Sequence, residues 1–119
     1  MRVFVYGTLM QGNSNHRYLK NEKFIGNAVL QGYAMYDIGY FPGIVKNNNK
    51  SVLGEVYEVD EEVILRLDRL ESEGSLYIRE LEKVYIDNIE TEAFIYVWNR
   101  SILGLPMVLD MPWQPRKVG

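Results

Sequence analysis

Short apolar runs, broken by glycine, asparagine and proline, set the rhythm of this chain. Val3, Phe4 and Val5 are strand formers with no polar residue between them, so residues 2–6 read as a short buried strand ended by Gly7. Residues 8–12 follow as a loop, and Asn13, Ser14 and Asn15 offer N-caps for a short helix over 16–19. Residues 23–30 and 32–38 read as two strands that part near Gly32, and Gly39-Tyr40-Phe41-Pro42-Gly43 is punctuated as a loop. Ile44-Val45 opens a strand expected to turn at Asn47-Asn48-Asn49 and to return over 51–59 as its hairpin partner. Residues 77–86 and 91–98 predict a second hairpin around Asp87-Asn88. Beyond Arg100 the prolines leave no definite element.

The clearest helix starts at Asp60, an N-cap residue, with Glu61 and Glu62 suited to the positive end of the helix dipole. Val63, Ile64, Leu67 and Leu70 give it one apolar face, and its end is expected near Glu73 or Gly74. At ~100° per residue, with Ile64 at zero, Leu67 lies near ~300° and Glu71 near ~340°. Glu71 therefore falls inside the apolar stripe, while Arg66, Arg69 and Glu73 face the other way. A carboxyl group facing the interior must be paired, protonated or functional. Burial and the negative end of the helix both raise its pKa, which suits a group that takes and returns a proton near neutral pH. Two readings leave Glu71 without chemistry. In one, the helix has already ended and the side chain is solvated. In the other, it pairs with Arg79 or Arg2.

Hairpin links among six or seven strands, with one good helix, predict an antiparallel closed sheet rather than a doubly wound one. The 119 residues fit a single domain, residues 1–119, in which 100–119 form a C-terminal extension without predicted structure. The 47% hydrophobic content supplies a core. A net charge of −3 does not suit a nucleic-acid surface, and the C-terminal pair Arg116 and Lys117 does not make one. With no cysteine, thiolate nucleophiles and disulfides are excluded. With one histidine, His16, a zinc site is not expected, and the chain is read as having no metal and no cofactor. No apolar run approaches the ~20 residues of a membrane helix, and no signal peptide is legible, so a cytoplasmic protein is expected.

Further candidates flank the first strand. After Tyr6-Gly7-Thr8-Leu9 turns away from the strand, its N–H groups can hold a carboxylate or an oxyanion. The Tyr40–Gly43 loop is either a pocket wall or a core cap. Tyr77 and Tyr96 lie on strands and read first as core or wall residues. His16 reads as a helix-start residue.

Several segments, taken in order, resemble the gamma-glutamyl cyclotransferase-like family. Val3-Phe4-Val5-Tyr6-Gly7-Thr8-Leu9 is similar to the family's N-terminal signature, and residues 54–60 to its strand leading into the central helix. Leu67-Asp68-Arg69-Leu70-Glu71 with Tyr77-Ile78-Arg79 resembles its catalytic helix end and following strand. Residues 11–17 resemble a loop of gamma-glutamylamine cyclotransferases, and Tyr40-Phe41-Pro42-Gly43 a Tyr-Pro loop with one insertion. The resemblance implies an α+β fold, a small mixed, mostly antiparallel β-barrel or sheet with one main and one short helix. It implies a small-molecule gamma-glutamyl substrate, Glu71 as the acid/base, and Tyr6, Gly7, Thr8 and Leu9 as binding residues. Tyr40 and Tyr77 complete the expected binding set. The implied reaction releases 5-oxoproline and an amine by attack of the substrate's own α-amine. Two alternatives remain: a non-catalytic binding module with the same pocket, and an acyl-transfer enzyme acting on another gamma-glutamyl compound.

Overall fold

The computed structural model describes residues 1–115. Its strands are β1 (Arg2–Val5), β2 (Lys23–Asp37), β3 (Pro42–Glu58), β4 (Tyr77–Ile86), β5 (Ile89–Trp98) and β6 (Met107–Val108). One α-helix, α1 (Glu61–Leu70), and a 3-10 turn at His16–Tyr18 complete the set. The sheet runs β3-β1-β5-β4-β2-β6, and β2 pairs back onto β3, closing five of the strands into a barrel. Every pairing is antiparallel except β1 with β5, where Val3 lies opposite Phe94. This is the mixed, mostly antiparallel α+β barrel expected from the resemblance.

Two expected breaks are absorbed within longer strands. Gly32 does not end a strand: β2 continues through it at a left-handed φ of 86°. Nor does Asn47-Asn48-Asn49 turn the chain back on itself. Gln31 pairs with Ser51 and Tyr33 with Lys46, so residues 47–50 bulge opposite Gly32 alone. The Asn47 side chain accepts from the Asn49 N–H at 3.0 Å, a local asparagine turn, but both arms of β3 hydrogen-bond to β2 rather than to each other. The true hairpin joins β2 to β3 through the Tyr40 loop, where the Ile38 N–H donates to Phe41 O at 3.1 Å. The second hairpin forms as expected. Asp87 and Asn88 take φ of 50° and 66°, the left-handed pair of a tight two-residue turn.

Helix α1 begins as its sequence dictates, with Asp60 Oδ1 accepting from the Val63 N–H at 3.0 Å. It ends earlier than expected, at Leu70. Ser72 and Gly74 adopt left-handed φ of 51° and 89°, which turns the chain away just past Glu71. Val63, Ile64 and Leu67 bury against the barrel core with Val3, Phe4 and Ile95. Residues 107–113 lie back along β2: Met107 and Val108 pair with Tyr36 and Met35, and Trp113 is buried. They cover a sheet edge that would otherwise be exposed. Arg116 and Lys117 lie outside the described residues. No helix among the described residues is long and apolar enough to cross a membrane.

Gly54 lets β3 lie close against the end of β1. A Cβ there would meet the Val5 carbonyl oxygen and come within 2.6 Å of the Phe4 ring. Neither neighbour can retreat within the barrel. Gly54→Ala is expected to cost about 1–3 kcal/mol by chemical denaturation, as overpacking does elsewhere.

Candidate active site

Strand β1 delivers Tyr6, Gly7, Thr8 and Leu9 to one end of the barrel. Gly7 is glycine for lack of space: a Cβ would lie 2.7 Å from Pro42 Cγ and 2.8 Å from Cδ. The loop that follows holds this segment by its carbonyls. Gly7 O accepts from the Met10 N–H at 3.1 Å and from Asn13 Nδ2 at 2.9 Å. Thr8 O accepts from the Asn15 N–H at 2.9 Å, and Asn15 Nδ2 donates to Thr8 Oγ1 at 3.0 Å. His16 Nδ1 lies 3.0 Å from Leu9 O, a contact that requires the proton on Nδ1. The N–H groups of Gly7, Thr8 and Leu9 donate to no acceptor among the described residues. Carbonyls tied back and N–H groups left open make a turn suited to an anion.

Glu71 reaches the same place from the other side. It is the C-cap of α1, with φ −86° and ψ 0°, and its N–H donates to Leu67 O at 2.9 Å. Its carboxyl has no hydrogen bond or ion pair among the described residues. Both arginines weighed as partners are engaged elsewhere. Arg2 donates to Thr91 Oγ1 at 2.9 Å and lies 3.7 Å from Glu58, while Arg79 Nε lies 3.0 Å from Asp68 Oδ1. Burial alone pushes the Glu71 carboxyl up from 4.5 to about 7. The helix therefore does end near Glu71, yet the side chain is not released to solvent.

Between these two pieces lies a cavity lined by residues 4–9, Phe41, Pro42, Glu71, Tyr77 and Tyr96. It is narrow: about 30 Å³ measured by where the centre of a water molecule can sit, and about 350 Å³ with all space up to the atoms and the open mouth counted. Tyr77 packs tilted against Phe41 and edge-to-face against Trp98, at ring centroid distances of 6.5 and 5.2 Å, and walls one side. A larger groove, about 900 Å³ by the first measure, runs past Asn27, Leu53 and Tyr85. It holds neither the unpaired Glu71 carboxyl nor the open N–H groups, so the smaller cavity is the candidate site.

Six of the seven residues that the resemblance implies for the site line this one cavity: Tyr6, Gly7, Thr8, Leu9, Glu71 and Tyr77. Tyr40 does not. It is 90% exposed, and its loop offers Phe41 and Pro42 to the cavity instead. The alternation of a hairpin end turns the neighbour inward. The reading of single residues missed the bracing by Asn13, Asn15 and His16. The signal was available: two asparagines and a histidine within seven residues of a turn whose carbonyls needed donors.

The raised carboxyl makes stability depend on pH. Folding raises the pKa of Glu71, so the fold binds a proton that the unfolded chain has released. Its contribution is complete below about 4.5 and is lost as pH rises through about 7. Glu71→Gln removes that loss. The variant should match the parent in stability near pH 4.5 and exceed it by about 1–3 kcal/mol at pH 8, in urea titrations at both pH values.

Known proteins resemble this chain along nearly all of its length. The description "Gamma-glutamyl cyclotransferase, AIG2-like" matches residues 3–115. The gamma-glutamylcyclotransferase family protein YtfP of Escherichia coli strain K12 is 34% identical over 116 residues, covering 98% of each chain. The solution structure of Escherichia coli ytfP superposes with a TM-score of 0.69 at 35% identity, covering 91% of both chains. The crystal structure of an AIG2-like protein from Mus musculus gives a TM-score of 0.79 at 27% identity, covering 90% of this chain and 84% of the other. With the match spanning nearly the whole chain, the barrel shared, and an unpaired carboxyl set against the turn after β1, this chain belongs to the gamma-glutamyl cyclotransferase, AIG2-like family.

Proposed function

We propose that this chain is a gamma-glutamyl cyclotransferase that converts an L-gamma-glutamyl compound to 5-oxoproline and a free amine or amino acid. One observation carries the reading: a carboxyl without a partner, with a pKa near neutrality, shares a cavity with three unpaired N–H groups. The substrate has a carboxylate for the N–H groups and an ammonium for the carboxylate. Family membership and the names of the relatives support the same reaction.

In this reading, the N–H groups of Gly7, Thr8 and Leu9 hold the α-carboxylate of the glutamyl unit. That places its α-ammonium toward Glu71. Glu71 takes one proton, and the freed amine attacks the γ-carbonyl carbon to form the new C–N bond of a five-membered lactam. Glu71 returns that proton to the departing nitrogen as the old C–N bond breaks. The ring nitrogen releases its second proton, which the freed amine takes up, so the products are a neutral lactam and an ammonium. One carboxyl serves both transfers, and no protein nucleophile is required. Holding the flexible glutamyl chain in a folded conformer supplies a proximity gain. Tyr77 and Phe41 wall the space in which the chain must fold.

The narrowness of the cavity favours a second reading, a module that binds a gamma-glutamyl ligand without turning it over. Mass-spectrometric detection of 5-oxoproline from a panel of gamma-glutamyl amines, gamma-glutamyl amino acids and glutathione separates the two. Product from at least one compound is expected, with Glu71→Gln reducing turnover about 10²–10⁴-fold. Heat of binding in calorimetry without product from any of them contradicts the enzymatic reading. For an active substrate, kcat/KM should rise with pH to a half-maximum near 7, where Glu71 loses its proton. A profile flat from pH 5 to 8 would remove Glu71 from the base role.

A further inference from the structure

Three tyrosine rings line the Glu71 cavity, and none of their hydroxyls donates to Glu71. Tyr6 donates to the Tyr96 carbonyl at 2.6 Å and Tyr77 to the Pro42 carbonyl at 2.7 Å. A carbonyl oxygen only accepts, so the direction of both bonds is fixed, and their acceptors belong to strands of the barrel. The Tyr96 hydroxyl is different. Its acceptor is a side chain, Asp68 Oδ1, at 2.7 Å.

Asp68 stands three residues before Glu71 and is itself held. Arg79 Nε lies 3.0 Å from the same Oδ1, though its N–H is not aimed at the oxygen, so the contact is an ion pair without a hydrogen bond. The Arg79 guanidinium rests 4.5 Å from the centre of the Phe94 ring. The chain that turns back after α1 fixes both partners: the Glu73 N–H donates to Asp68 O at 2.9 Å, and the Arg79 N–H donates to Glu73 Oε2 at 3.2 Å. A phenol that shares a small cavity with an unpaired carboxylate can donate to it, since a charged acceptor makes the stronger bond. Here the phenol is already committed.

We propose that Asp68, held by Arg79, is a positioning residue of this site: by accepting the Tyr96 hydroxyl proton, it keeps that hydroxyl from Glu71 and leaves the Glu71 carboxylate free to take a proton from the substrate. The purpose of that freedom rests on the reading of Glu71 as the acid/base. The hydrogen-bond claim does not. A donated hydrogen bond favours the charged form of a carboxylate and makes it a weaker base. The polar groups around Glu71 are Tyr6 after β1, Thr8 in the loop, Tyr77 on β4, Tyr96 on β5, and the Asp68–Arg79 pair behind Tyr96. The negative charge of Glu71 contributes to raising the pKa of each of the three tyrosines, behind the effect of burial, as expected for groups sharing one small space.

The test is carboxyl ¹³C NMR of glutamate-labelled protein, with the Glu71 signal assigned by its absence from Glu71→Gln. Tyr96→Phe should leave the Glu71 titration where it stands in the parent, because the removed hydroxyl was not its donor. Asp68→Ala should lower it by about one unit more than Asp68→Ala combined with Tyr96→Phe, because only the single variant retains a hydroxyl to redirect. The combined variant also isolates the charge lost with Asp68 and the release of Arg79, which act alike in both. Equal titration of Asp68→Ala and the combined variant overturns the proposal, and so does a rise in Tyr96→Phe. If Asp68→Ala does not fold, Tyr96→Phe decides: an unchanged titration supports the committed hydroxyl and a rise refutes it. The readout needs no turnover. A parent that makes no 5-oxoproline but gives the expected titrations loses the enzymatic reading and keeps the positioning role. A parent that makes 5-oxoproline while Asp68→Ala and the combined variant titrate alike loses only the positioning role.

Discussion

An ionisable carboxyl taken out of water and given no partner is the constraint on which the rest of this structure depends. Such a group resists ionisation, and the fold bears that cost at neutral pH. Structural ion pairs would relieve it, and two arginines are available in the sequence. Both are drawn away, Arg2 to Glu58 and Thr91, and Arg79 to Asp68. The tyrosines around Glu71 could also relieve it, and their hydroxyls are engaged with other acceptors. The surroundings of Glu71 thus leave it available to something that enters the cavity.

The barrel makes this arrangement possible by bringing two chain ends of different kinds to one place. The parallel pairing of β1 with β5 sets the turn after β1 next to Tyr96 on β5. Helix α1 buries Val63, Ile64 and Leu67 in the core and so carries Glu71, one turn past Leu67, to the same rim. The left-handed residues Ser72 and Gly74 then turn the chain away before solvent-directed helix could continue. On the opposite wall Pro42 presses on Gly7 so closely that no side chain fits there. The open N–H groups and the unpaired carboxyl are therefore both consequences of packing rather than of loop conformation alone.

Much of this was legible in the residues themselves. The period of α1 placed Glu71 on the buried face, and Asp60 marked the start of the helix. Asp87-Asn88 marked its hairpin turn. The strand-glycine run of residues 3–7 marked the site's other half. What periodicity could not reach were features set by distant partners. Asn47-Asn48-Asn49 has the composition of a turn, and it does make a local one, but whether its arms pair with each other or with β2 depends on residues 23–37. Tyr40 and Phe41 are adjacent aromatics, and only the path of the β2–β3 hairpin decides which one faces inward. The early end of α1 depends on a serine in a left-handed conformation, for which serine carries no signal. The resemblance to a family covered what local pattern left open in the fold, namely that the closed sheet is mixed rather than purely antiparallel.

The central claim is that the N–H groups of Gly7, Thr8 and Leu9 and the Glu71 carboxyl meet on one ligand. Backbone amide NMR of the ¹⁵N-labelled protein, titrated with 5-oxoproline, addresses it directly. Binding at this site should move the Gly7, Thr8 and Leu9 resonances together, to saturation, with a common affinity. Movement confined to the outer groove around Asn27, Leu53 and Tyr85, with residues 7–9 unchanged, would contradict it.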